Sequence, residues 1–380
     1  DGTVIDVDLS ALKDDTNTHL STTEFNDNND NTLVSTLNDG TVISTLIDNF
    51  DGLDVTGTVN ATSFVGDGSG LTNLPSTGGG TSGFSGTFIN GSNNLVTVIN
   101  GLITDIASSI LDNLLGVEGG FSLRLLNSSY TGSAIQVRRS SDNATQKIGF
   151  INNELDTASL NTFCSGTDCF VSIWYNQADL SNNAIQSVAN SQPKIYDSST
   201  GVELENGKPC LLFDGTSKYL EVADDTFGNM QGNISTFSIV KLLSFNSPSK
   251  MIVSKGYNTQ GAYAMAFYQN TGTIEYWIET ELFRDTTNAD IKGSQMLLSN
   301  INKTGSNGLK IYKDSVLYTE DTTATDLTGS NNYKFTIGRN NRDSSYHWAG
   351  TMQEILLFNS DQTSNRTTIE DDINSHYTIY

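Results

Sequence analysis

Apolar and polar positions alternate with a period of two through most of the chain beyond residue 119. Ile135 and Val137 alternate with Gln136 and Arg138; Val171, Ile173 and Tyr175 alternate with Ser172 and Trp174. Tyr263, Met265 and Phe267 do the same with Ala264 and Ala266. Further apolar runs at 210–213, 235–245, 250–254, 273–279, 309–312, 333–337 and 351–358 are separated by turn residues. A period of two places successive side chains on opposite faces of a strand. So many short strands at this spacing predict an all-β domain over residues 119–380, built as two packed antiparallel sheets. Near the C-terminus the period changes: Ile369, Ile373 and Tyr377 fall at helical spacing and predict a terminal helix.

The pattern is thinner before residue 119. DGTVIDVDL at 1–9 recurs as DGTVISTLI at 39–47, so residues 1–50 contain a repeated small unit, and such units need neighbours or partner chains to bury a core. The polar stretch between the copies reads as an extended spacer. Ser21 and Glu24 match a capping-box spacing, but the run after Glu24 is too polar to predict a helix. Residues 51–83 carry sparse apolar positions among Gly, Thr and Asn and end in the hinge-like STGGGTSG. Residues 84–118 read as a hairpin or meander turning at Asn90-Gly91 and Asn100-Gly101. A short helix is then predicted from an Asp105 cap to Gly116, with Ile106, Ile110, Leu111, Leu114 and Leu115 on one stripe.

Composition narrows the function classes. A net charge of −23 opposes binding to nucleic acid, which requires clustered Lys and Arg against phosphates. No apolar run approaches the ~20 residues of a membrane-spanning helix. Abundant carboxylates admit calcium as a ligand, but no EF-hand loop is present, and no cofactor is expected. His19, His347 and His376 are too scattered for a metal cluster, and no phosphate loop or nucleophile elbow occurs. The chain starts at Asp1 without Met, which reads as a processed protein or a portion of a longer one.

Specific stretches carry family resemblance. FDGTSKYLEV at 213–222, STFSIVKLL at 235–243, MIVSKG at 251–256, GLKIYKDSVLY at 308–318, FTIGRN at 335–340 and WAGTMQEILLFN at 348–359 succeed one another as in the concanavalin A-like, laminin G-type jelly rolls. YTGSAIQVRRSSDNATQKIGF, followed by LDTASLNTFCSGTDCFVSIWYNQ, resembles the start of the family B α-L-arabinofuranosidase catalytic domain. The segment LDVTGTVNATSFVGDGSGLTNLP at 53–75 resembles a stretch common in fibre proteins of tailed bacteriophages, in which three chains wind together. These resemblances imply a concanavalin A-like sandwich preceded by an extended, repeat-containing fibrous β stalk.

The arabinofuranosidase resemblance implies a Glu nucleophile in a strand reading M-E-A-I-Y and an Asp acid/base shortly after an I-G motif. The resemblance places Met265 and Asn340 at those positions, and neither side chain can do the chemistry. A shift of a few residues recruits Glu275 or Glu279 with Asp343 instead; such acids are otherwise a solvated strand face. Tyr175-Asn176-Gln177-Ala178-Asp179-Leu180-Ser181 also departs from the family's Y-D-Q-S-G-N-G loop.

Cys164 and Cys169 flank a turn-compatible tetrapeptide, and the resemblance, which carries a similar pair, favours a bridge over free thiols. Cys210, inside PCLLF, reads as a small buried hydrophobe. For carbohydrate binding the candidates are Trp277, Asn340, Arg342, Asp343, Tyr346, His347 and Trp348, since sugars stack on aromatic faces among amides and charges. A Trp inside a strand is ordinarily core, which is the reading for Trp174 and competes at Trp277.

Together these features lead to the expectation of a homotrimeric phage tail or head fibre. It would bind cell-surface polysaccharide through a non-catalytic domain and other virion proteins through its N-terminus, in a virion or extracellular setting. The alternatives are an α-L-arabinofuranosidase-type glycoside hydrolase, and a structural virion decoration or bacterial surface adhesin.

Overall fold

The structure is a computed structural model. It describes residues 109–380 apart from 180, 245–249, 257, 268–272, 285–292, 306–307, 322–325 and 341–345, together with the backbone of six strands before residue 109. Two compact units divide at Gly66.

In the first unit Leu20–Asn26, Thr32–Leu37 and Val42–Leu46 form an antiparallel meander. The second D-G-T-V-I copy runs into the last of these strands, and the first copy lies outside the described residues. In the second unit Gly86–Ile89, Leu95–Ile99 and Leu102–Asp105 make another meander. Ile99 pairs with Leu102, and the expected turn at Asn100-Gly101, like that at Asn90-Gly91, lies outside the described residues. The helix expected from Asp105 is corrected. Asp105 belongs to its strand, and among the described residues that follow it the chain makes a 3-10 turn at Ile110–Asn113. Ser109 and Asp112 form a capping box there. Ile110 and Leu111 are buried as anticipated, whereas Leu115 is 84% exposed.

Apart from two separate hairpins, Phe150–Ile151 with Glu154–Leu155 and Leu204–Glu205 with Lys208–Pro209, the remaining described strands form one hydrogen-bonded, wholly antiparallel network. One run orders Val117–Ser122, Ala349–Phe358, Ile234–Leu242, Gln295–Asn302, Leu309–Lys313 and Val316–Asp321. A longer run orders Thr145–Ile148, Ile135–Arg139, Cys169–Trp174, Ala184–Ile185, Leu220–Val222, Thr336–Ile337, Lys250–Lys255, Tyr263–Phe267, Ile274–Ile278 and Glu281–Arg284. Lys194–Asp197 and Leu211–Asp214 link the two runs, pairing from Cys169–Trp174 to Ala349–Phe358. The network is nearly closed on itself.

Alternation decides what each face buries. The main core takes Val137, Val171, Trp174, Leu220, Ile337, Val253, Met265 and Tyr276 from the longer run and Val240, Leu298, Met352 and Ile355 from the other. A second core lies on the opposite face of the shorter run, where Phe237, Ile239, Leu297, Leu356 and Phe358 meet Ile369, Ile373 and Tyr377. Those last three belong to the helix α2, Arg366–Tyr377, the terminal helix the spacing predicted. A shorter helix, α1, spans Thr157–Cys164, capped by Asp156 whose carboxylate accepts from Ser159 N at 2.9 Å. It ends in the Cys164–Cys169 disulfide, with Cα atoms 5.9 Å apart, and Cys210 is a buried free thiol. Among the described residues no helix is long and apolar enough to cross a membrane.

Candidate functional site

The shorter run has α2 on its outer face. The outer face of the longer run carries instead a set of small, polar and aromatic side chains. Register assigns them directly: Glu221 pairs with Thr336, Thr336 with Ser254, Ser254 with Ala264, and Ala264 with Trp277. One step along, Met251 pairs with Ala266 and Ala266 with Glu275. Met251, Ala264 and Ala266 form a separate small cluster against which Trp277 and Tyr346 pack. Two alanines side by side leave room over the sheet for the rings of Tyr346 and Trp277.

This register bears on Met265, one of the two catalytic positions read from the sequence. Met265 has the opposite parity and points between the runs, fully buried, with its sulfur 3.4 Å from Asn300 Nδ2. No side chain at that position could reach a ligand on the outer face. Matching the Met of M-E-A-I-Y to Met265 places the motif's Glu on Ala266, which does face outward. Ala266 lacks a carboxylate, but Glu275 stands directly opposite it, and Cβ atoms of such cross-strand partners lie about 4.5–5.5 Å apart.

Glu279 is removed as a partner in this chemistry. Ile278 pairs with Glu281, so Glu279 sits in the hairpin turn with φ of 52° rather than on the strand face shared with Glu275. Its carboxylate is committed to structure, accepting from Gly261 N at 2.6 Å and from Thr328 N at 2.7 Å.

The carbohydrate candidates separate in the same way. Trp348 is fully buried, its ring centroid 5.5 Å from that of Phe267, and its indole N–H donates to Thr351 O at 3.3 Å. It is a core residue, as is Trp174. Asn340 is likewise fully buried, in the segment just past the strand Thr336–Ile337. Arg342 and Asp343 lie outside the described residues. Tyr346 and Trp277 come together on the outer face, and Tyr346 O accepts from Met251 N at 2.8 Å. Tyr346 holds a φ of 58°, a left-handed conformation that a bulky residue rarely adopts. His347 turns to a neighbouring group, its ring 6.3 Å from that of Tyr219, over which the Arg339 guanidinium lies at 3.4 Å. Burial, and then the Arg339 charge, lower the His347 pKa.

Tyr219 and Arg339 were not singled out from the sequence. Tyr219 adjoins the strand Leu220–Val222 and Arg339 comes just after Thr336–Ile337, and only the pairing of those strands brings the two together. Among the described residues no group of three or more His, Cys, Asp or Glu is placed to hold a metal ion. A cleft of about 580 Å³ lined by Glu154, Thr157, Asn161, Thr200, Leu204 and Lys208 shares no residue with this face.

Comparison with known proteins supplies a class. Residues 119–209 match the family model for the catalytic domain of alpha-L-arabinofuranosidase B. An alpha-L-arabinofuranosidase of Hypocrea jecorina is 39% identical over 64 residues, which is 17% of this chain and 13% of that protein. A probable alpha-L-arabinofuranosidase B of Aspergillus terreus is 38% identical over 65 residues, again 17% and 13%. The matched stretch therefore spans a small part of these relatives.

Solved structures extend the likeness in fold. A mutant α-L-arabinofuranosidase soaked with 4-nitrophenyl α-L-arabinofuranoside aligns with a TM-score of 0.51 at 16% identity, over 67% of this chain and 62% of that one. An arabinofuranosidase complexed with arabinofuranosyl-α-1,2-xylobiose aligns over the same shares, with a TM-score of 0.50 and 16% identity. The chain is thus similar to arabinofuranosidase catalytic domains in its sequence over residues 119–209 and in its fold more widely.

These findings correct the expectation of a phage or virion fibre with a non-catalytic domain, and with it the decoration and adhesin readings. The similarity is to arabinofuranosidase catalytic domains, and it favours the glycoside hydrolase.

Proposed function

We propose that the domain following residue 109 is a glycoside hydrolase of α-L-arabinofuranosidase type. In this reading the two strand runs are the layers of a concanavalin A-like sandwich and the outer face of the longer run receives the sugar. One observation carries the proposal: Glu275 stands opposite Ala266, which belongs to the small cluster against which Trp277 and Tyr346 pack. A carboxylate there, beside two aromatic rings, has the elements of a furanoside subsite. In a retaining reaction the Glu275 carboxylate attacks the anomeric carbon and the aglycone oxygen leaves with a proton from a second acid. Water then hydrolyses the glycosyl ester. Asp343 is the residue that the sequence offers as that acid. The disulfide between Cys164 and Cys169 supports an extracellular site of action, since such bridges persist in oxidising compartments.

Release of 4-nitrophenol from 4-nitrophenyl α-L-arabinofuranoside tests the proposal. The intact chain turns the substrate over, and Glu275→Gln lowers kcat by at least ~1000-fold, as loss of a nucleophile does. Absence of turnover by the intact chain, or a Glu275→Gln variant as fast as its parent, would exclude it.

A further inference from the structure

The outer face continues beyond Glu275 toward the strand Cys169–Trp174, and its chemistry changes along the way. Cys169 and Val171 are core residues, so the intervening Phe170 faces outward, half-buried. Its register partner on the neighbouring strand is Arg138, whose guanidinium lies 5.4 Å from the Phe170 ring centroid. Lys218 reaches the same ring from the loop before Leu220–Val222, with Nζ at 5.3 Å, and Lys194 is Phe170's partner on its other side. The residue after Lys218 is Tyr219, with Arg339 over its ring.

The charges around Phe170 are unbalanced. Lys194 has carboxylate partners, Asp197 at 2.7 Å and Asp168 at 3.3 Å. Arg138 and Lys218 form no salt bridge among the described residues. Arg138 donates to neutral oxygens only: Gln192 Oε1 at 2.7 Å, Asn143 Oδ1 at 3.0 Å, Arg139 O at 3.1 Å and Ala189 O at 3.2 Å. Lys218 Nζ donates to Asn190 O at 2.6 Å. Asp214 lies close by, but its carboxylate is occupied by the amides of Thr216, Ser217 and Lys218. Burial lowers the Lys218 pKa, and repulsion from Arg138 and Lys194 adds to it against the pull of Asp214. In a chain of net charge −23, two cations held over an outward ring without a carboxylate are an arrangement that an incoming anion would complete.

We propose that Phe170, Arg138 and Lys218 form a subsite for an acidic sugar, with the ring stacking on a pyranose face and the two cations holding the carboxylate of a uronic acid. The inference rests on the reading of this face as a glycan-binding surface and specifies its substrate as an acidic polysaccharide rather than a neutral one. A hydrophobic sugar face over Phe170 and a charge-assisted contact to Arg138 or Lys218 recognise different parts of the same residue, so the subsite selects for both.

Calorimetric titration of the full chain with a galacturonic acid oligosaccharide and with its carboxyl-reduced counterpart tests the inference without requiring turnover. The uronate form is expected to bind at least ~10-fold more tightly than the reduced form, the effect of a charge-assisted contact. That preference should shrink as salt shortens the Debye length. Arg138→Gln and Lys218→Gln should each reduce the preference several-fold, and Phe170→Ala should weaken both ligands. Should Arg138→Gln fail to fold, Lys218→Gln carries the test. Equal affinity for the two oligosaccharides, a preference that survives in Lys218→Gln, or equal competition by polyphosphate would each overturn the inference. Failure of the Glu275 assay alone would leave the binding result intact.

Discussion

Glu354 shows how single residues set the stability of this domain. It sits at 0% exposure on the strand Ala349–Phe358, beneath α2. Its carboxylate accepts from Arg124 Nε at 2.8 Å and Nη2 at 3.0 Å, from Ser122 Oγ at 2.8 Å and from Tyr377 Oη at 3.2 Å. Burial pushes its pKa up, but the charge and hydrogen bonds of Arg124 outweigh that and hold it below the usual carboxylate range. Arg124→Met leaves that carboxylate buried without its cation and should cost about 3–5 kcal/mol in urea unfolding. His376, in the same cluster, is pushed down to about 4 by burial and then by Arg124, against the pull of Glu154 and Glu354. Between pH 4 and 6.5 the unfolded chain takes up a proton here that the folded chain refuses. His376 therefore subtracts nothing above pH 6.5 and lowers stability as pH falls toward 4. The urea midpoint of His376→Gln should fall less between pH 7 and 5 than that of the parent; an unchanged slope would assign the titration elsewhere. Little of this was legible in the sequence. Glu354 is an isolated acid among apolar residues, and Arg124 lies far away in the chain. Met265 and Trp348 elude the sequence for a related reason: parity decides which face a strand residue takes, and parity is fixed only by the partner strands.

Elements were far more legible, because a period of two or of 3.6 is written locally. The strands Leu211–Asp214, Ile234–Leu242, Lys250–Lys255, Leu309–Lys313 and Ala349–Phe358 lie within a few residues of the apolar runs that announced them. The helix α2 matches its Ile369, Ile373, Tyr377 spacing. The exception is the stripe before Val117, where Asp105, the expected cap, pairs with Val96 as a strand residue and Ile110–Asn113 forms a 3-10 turn. The disulfide at the end of α1 is a further element-scale feature. Closing so short a loop restricts the unfolded chain by about 2 kcal/mol in the loop-entropy model. A Cys164→Ser, Cys169→Ser double variant should therefore stay folded and lose that amount in urea unfolding. A loss well above it would show that the bridge holds more than its own loop.

At the scale of the whole molecule the sequence conveyed an all-β domain, while the candidate site was visible only as scattered residues. Glu275, Ala266 and Trp277 share a face because adjacent strands align in one register, Tyr346 packs on that face from outside the strands, and no local pattern encodes either placement. The same packing argues where an independent domain must begin. Ile110 and Leu111 belong to the second core, joined to Leu126, Phe358 and Ile369, and Leu111 N donates to Leu126 O at 2.9 Å. Asp112 accepts from Ser109 N and Ser128 N, tying this segment to the sheet it covers. A protein of residues 109–380 keeps every one of these contacts. It should melt within a few degrees of the same region in the full chain and hydrolyse the aryl arabinofuranoside at a comparable rate. Starting at Val117 instead strips two buried aliphatic side chains from the second core, each worth about 2–5 kcal/mol when removed. That shorter version should unfold at markedly lower urea or be recovered aggregated. Equal melting of the two truncations would show that Ile110 and Leu111 contribute no stability. Loss of turnover in residues 109–380, with melting preserved, would place part of the active surface in the preceding residues.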